Sequence, residues 1–111
     1  MLKKTIPKKI EKEIIQYINI LKQDKLPIKK AILFGSYAKG KQHKWSDIDL
    51  CIISPKFKNA FKALNYLSLK KPFDINTKYV IGPVGFIPED FKNKYSSFIH
   101  EIKTTGIEIS I

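Results

Sequence analysis

Two short apolar runs, joined by a loop that glycines punctuate, constrain this chain more than any other feature. Residues 30–34 read Lys-Ala-Ile-Leu-Phe and end at Gly35. Residues 47–53 read Asp-Ile-Asp-Leu-Cys-Ile-Ile and are stopped by Ser54-Pro55. Both are of strand length, mostly apolar, and bounded by turn formers. Residues 35–46 between them carry Gly35, Gly40 and polar side chains, which suits a loop with room for one helical turn. Buried strands need cover, and the flanking periodicities supply it.

Ile10, Ile14, Tyr17, Ile18 and Leu21 recur at helical spacing and predict a helix over 8–25, entered near Pro7 and left before Pro27. A second helix is predicted over 57–70, with Phe57, Phe61, Leu64 and Leu67 or Leu69 on its inner face. Residues 73–81 alternate well enough for a third strand, which Gly82, Pro83 and Gly85 then break. A further helix is predicted over 88–103, with Phe91, Tyr95, Phe98, Ile99 and Ile102 inward and Glu89 and Asp90 in the dipole-favoured first turn. The tail from Gly106 to Ile111 alternates isoleucine with polar residues and reads as an edge strand. This order predicts an α/β (α+β) fold: a small mixed sheet of about four strands with helices packed against it. At 111 residues the chain is expected to be one domain, 1–111.

Composition narrows the setting. All 21 basic residues are lysine, against ten acidic ones, for a net charge of +11. Arginine, the usual residue for reading bases and gripping phosphate bidentately, is absent. The lysines are spread along the chain beside nineteen isoleucines, a pattern of coding bias more than of a nucleic-acid surface. Nucleic acid is therefore not expected as a specific partner. No apolar run approaches the length of a membrane span, and the basic start is followed by no secretory apolar stretch. One cysteine, Cys51, cannot form an internal disulfide, so a cytoplasmic setting is expected.

The chemistry concentrates around Gly35 and Asp47. Asp47 and Asp49 stand two apart in a strand, so both carboxylates leave from one side while Ile48 and Leu50 enter the core. Two like charges that close repel, and a hard divalent cation such as Mg²⁺ relieves the repulsion. Gly35 lets a ligand approach the backbone, Ser36 offers a hydroxyl, and Lys39 adds a cation three residues on. A phosphate grip beside a metal site is what phosphoryl or nucleotidyl transfer requires. Asp-x-Asp or Gly-Ser alone is commonplace; strand, Gly-Ser, ten residues, Asp-x-Asp, strand is far more specific.

That pattern resembles the DNA polymerase beta-type nucleotidyltransferase superfamily. The wording Phe-Gly-Ser-x-Ala-Lys-Gly and Ser-Asp-Ile-Asp-Leu is similar to its minimal branch, often paired with HEPN-domain proteins in prokaryotic toxin–antitoxin modules. The resemblance implies the nucleotidyltransferase fold and a third carboxylate on a neighbouring strand, matched here by Asp74. It implies two Mg²⁺ ions held by Asp47, Asp49 and Asp74, an NTP substrate, expected to be ATP, held at Gly35 and Ser36 with Lys39 nearby, and Asp74 helping to deprotonate the acceptor hydroxyl. The family often has arginine where Tyr37 and Lys39 stand; lysine supplies that charge and tyrosine does not. It further implies an antitoxin that transfers AMP to its HEPN partner. Two other classes compete: an inactive antitoxin acting by contact, and a basic nucleic-acid-binding protein. The isoleucine-rich tail also offers a pairing edge for an oligomer. His43, His100 and Cys51 are read as ordinary solvated or core residues, and Trp45 as either a base-stacking or a core-edge residue.

Overall fold

In the computed structural model, which describes residues 6–44, 46–72 and 79–111, the two apolar runs are the central strands of a sheet. β1 spans Lys30–Phe34 and β2 spans Ile48–Ile53. They run antiparallel, with Phe34 opposite Asp49 and Lys30 opposite Ile53. β3, Ile81–Phe86, lies parallel to β2 on one edge, and β4, Ile107–Ile109, lies antiparallel to β1 on the other. Among the described residues the sheet is mixed and four-stranded, in the order β3-β2-β1-β4.

Alternation along the strands divides the apolar residues between two faces. Ala31, Leu33, Leu50 and Ile52 pack with α1, Lys8–Gln23, and α3, Ala60–Leu69. α1 buries Ile10, Ile14, Tyr17, Ile18 and Leu21, as its spacing predicts. Each such side chain contributes about 1.5–3 kcal/mol of transfer free energy before entropy is counted. The Tyr17 hydroxyl donates to the Leu67 carbonyl at 2.6 Å, tying α1 to the end of α3, and burial pushes that phenol well up from its ordinary range. On the other face Ile32, Cys51 and Ile53 meet α4, Pro88–Phe91, and α5, Ser97–Thr105, through Phe91, Ile99 and Ile102.

Three elements differ from the sequence expectation. Of the strand predicted over 73–81, Ile81 opens β3, which runs on through the residues read as breakers. Residues 73–78 lie outside the described residues. Proline is tolerated because β3 is an edge strand among the described residues, and Gly85 is there because α3 rests on it. A Cβ at Gly85 would lie 2.7 Å from Phe57 Cε2 and 2.8 Å from the Ala63 Cβ.

The helix predicted over 88–103 is two helices. Asn93 accepts from the Tyr95 N–H in the break, and the Ser96 hydroxyl caps α5 by accepting from the Ile99 N–H at 3.2 Å. Tyr95 therefore sits in a turn, fully exposed, and Phe98 is only half-covered. The third difference is in α3, which starts after its Asn59 cap. Ala63 and Leu67 face inward, while Phe61, Leu64 and Leu69 are exposed. The tail strand forms as expected. Among the described residues no helix is long and apolar enough to cross a membrane.

Candidate active site

The turn after β1 and the start of β2 meet because these strands pair antiparallel. Gly35 leaves the sheet at φ 76°, ψ −151°, a backbone conformation almost confined to glycine. It opens α2, the single turn Ser36–Lys39, which Gly40 ends in the left-handed conformation at φ 69°. The helical turn anticipated in the loop is therefore present, immediately after Gly35.

Asp49 occupies a slot between two glycines. Its register neighbours are Phe34, just before Gly35, and Gly82 on β3. A Cβ built on Gly35 would lie 2.1 Å from Asp49 Oδ2, and one on Gly82 would lie 3.4 Å from Oδ1. In the sequence Gly82 stands out only as a strand breaker. Its position opposite the second aspartate of Asp-x-Asp was the signal, but the strand pairing had to be known to use it.

Asp47 stands just before β2 and is exposed; Asp49 is half-buried. Burial raises the Asp49 carboxyl above the usual carboxylate range, and the Asp47 charge raises it further. No ion pair to a described residue offsets either carboxylate. Two hard oxygen donors with uncompensated charge fit a divalent cation such as Mg²⁺. Among the described residues no cluster of three or more His, Cys, Asp or Glu forms, and Asp74, the expected third carboxylate, lies outside them, as does Trp45.

On the phosphate side Ser36 is half-buried at the start of α2, and its hydroxyl makes no hydrogen bond to a described residue. Tyr37 is buried in the α1-side core, so its lack of charge removes nothing from the surface. The Lys39 amine pairs with Glu101 of α5, and that pairing lowers the Glu101 carboxyl below its ordinary range. Lys39 and Gly40 line a cavity of about 630 Å³, walled also by Tyr37, Gln42 and Thr105. In the loop before Asp47, the His43 N–H donates to the Ser46 hydroxyl and the Ser46 N–H to the His43 carbonyl, closing a tight turn. Burial pushes the Cys51 thiol up to about 12, so it is not a nucleophile.

Known proteins resemble this chain. The family described as "Nucleotidyltransferase domain" matches residues 14–110. A Methanocaldococcus jannaschii protein named "Putative protein adenylyltransferase" is 28% identical over 100 residues, covering 90% of this chain and 95% of that protein. A crystal structure described as a "putative nucleotidyltransferase" from Sulfolobus solfataricus superposes with a TM-score of 0.60 at 14% identity, covering 90% of this chain and 78% of that one. Another, described as "the toxin-antitoxin with AMP-PNP", gives 0.51 at 21% identity, covering 88% and 70%. These two structures share the fold. A match across nearly the whole chain, together with the strand–Gly-Ser–Asp-x-Asp geometry, places this protein in the nucleotidyltransferase domain family, as a nucleotidyltransferase.

Proposed function

We propose that the protein is a Mg²⁺-dependent adenylyltransferase that moves AMP from ATP to a hydroxyl of a partner protein, a HEPN-domain toxin whose antitoxin it is, in the cytoplasm. The observation that carries the reading is the Asp49 carboxylate held between Gly35 and Gly82, beside the Asp47 carboxylate and the Gly35-Ser36 turn. The name of the M. jannaschii relative supports protein adenylylation.

In this reading the acceptor oxygen attacks the α-phosphorus, a new P–O bond forms, and the bond to the β-phosphate's bridging oxygen breaks to release pyrophosphate. Bound Mg²⁺, for which the family pattern implies two ions, would supply charge neutralisation at the phosphates. Asp47 and Asp49 hold the site's negative charge in place, and Gly35 keeps the space over Asp49 clear. Ser36 donates its hydroxyl to the triphosphate, and Lys39, released from Glu101, offers its amine there. The acceptor's proton falls to Asp74, on the family resemblance.

The test is labelling with ATP carrying the label on its α-phosphate, with and without the protein encoded by the neighbouring gene, beside an Asp47→Ala/Asp49→Ala control. Label on that protein, absent in the control, is expected. Binding without label from any of the four NTPs would overturn transfer in favour of an antitoxin acting by contact.

A further inference from the structure

The strongest unassigned feature lies at the other end of β2. Four residue steps, about 13 Å of strand, separate Asp49 from Ile53. Beyond that point the chain after β2, α3 and the exit turn of α1 border an open cavity of about 450 Å³, within the range of small-molecule sites. Its walls carry four lysines: Lys25, Lys56, Lys58 and Lys62. None of their amines has an ion pair to a described residue.

Among the described residues of the lining the one carboxylate, Asp24, is already engaged. It accepts a hydrogen bond from the Tyr66 hydroxyl and pairs with the Lys70 amine at 3.3 Å, and these contacts lower it below the usual carboxylate range. Leu26, Phe57 and Tyr66 supply the apolar part of the lining. Lys25 stands at φ 64°, the only described residue other than glycine with a positive φ. Glycine would hold that turn at lower cost, but glycine would bring no cation to the cavity's wall.

We propose that this cavity is a second, non-catalytic site for a nucleoside polyphosphate. The four lysines receive the phosphates and the apolar lining receives the base. Four amines with no ion pair among the described residues call for a ligand of several negative charges, and the apolar lining calls for one that is more than bare phosphate. The site is separate from the Asp47–Asp49 carboxylates, so it stands whether or not transfer to a partner occurs.

The experiment measures metal-free binding of ATP to the full chain carrying Asp47→Ala/Asp49→Ala, by calorimetry. Saturable binding that Lys56→Glu/Lys58→Glu weakens by about tenfold or more is expected, from loss and reversal of two close charges. Lys25→Gly is the folding control: it should weaken binding while leaving the melting temperature equal or higher. Inorganic triphosphate should bind several-fold more weakly than ATP. Binding that is absent, or unchanged by the lysine substitutions, overturns the site. Equal binding of triphosphate and ATP overturns the nucleotide assignment. A failed labelling assay with this binding intact would count against adenylylation alone.

Discussion

Gly35→Ala tests the link between backbone and chemistry. At φ 76° and ψ −151° an alanine carries strain of about 1–3 kcal/mol. Its methyl would also start 2.1 Å from Asp49 Oδ2, inside the 3.0 Å that real contacts keep, so the carboxylate must retreat by about 1 Å. A misplacement of that size can lower a rate about 100-fold. The expected outcome is a fall in melting temperature of about 4–12 °C, at about 4 °C per kcal/mol for a domain of this size, together with that loss of rate in the α-labelled ATP assay. Gly40→Ala is the comparison. It also sits at positive φ, but its Cβ would meet nothing within 4 Å. It should carry a stability loss of about 1–2 kcal/mol and leave the rate within about twofold, an expectation that rests on the empty space around its Cβ. A Gly35→Ala protein that transfers AMP at the wild-type rate would refute the reasoning, because the slot would then not be holding Asp49.

Asp49→Asn should abolish transfer yet raise the melting temperature at pH 7. A carboxyl raised in the folded state stabilises the fold when protonated, below its unfolded value, and loses that contribution as pH rises through the folded value. The advantage of the asparagine should therefore vanish below about pH 4, which melting curves across pH will read. Mg²⁺ should raise the melting temperature of the wild type and not of Asp47→Ala/Asp49→Ala. Gly85→Ala should destabilise by about 1–3 kcal/mol through overpacking against Phe57, Ala63 and Leu67, with the rate of the folded fraction unchanged. Cys51, with its thiol pushed up to about 12, should react with a thiol reagent only on unfolding.

The legible parts of the fold were those that local physics decides. β1 was readable to the residue because an apolar run between lysines and a glycine has one way to be buried. α1 was readable because five apolar side chains share one stripe. Asp47 and Asp49 were readable as a pair because strand alternation is local, and the structure sets them close enough to interact. The course of β3 through Gly82–Gly85 was not legible because in Gly-Pro-Val-Gly only Val84 favours a strand; its pairing with β2 and the weight of α3 on Gly85 decide it. The break before α5 was missed because an aromatic stripe at helical spacing outweighed the Ser96 cap. Gly82 as a wall of the Asp49 slot depended on that same unseen pairing. The gathering of Lys25, Lys56, Lys58 and Lys62 around one cavity was likewise invisible in a chain where lysine is everywhere.

The alternation of β2 carries a consequence for how this sequence tolerates change. Within seven consecutive residues, Ile48, Leu50 and Ile52 face the α1-side core, while Asp47 and Asp49 face the chemistry. In a saturation library across 47–53, scored once for cellular abundance and once for labelling, damage should switch between the two scores at every step from 47 to 50, and fall on abundance alone from there to Ile53, because Cys51 and Ile53 are buried on the other face. Even positions should fail by loss of protein; positions 47 and 49 should fail with the protein still plentiful. A single strand thus divides selection for folding from selection for turnover, one residue at a time.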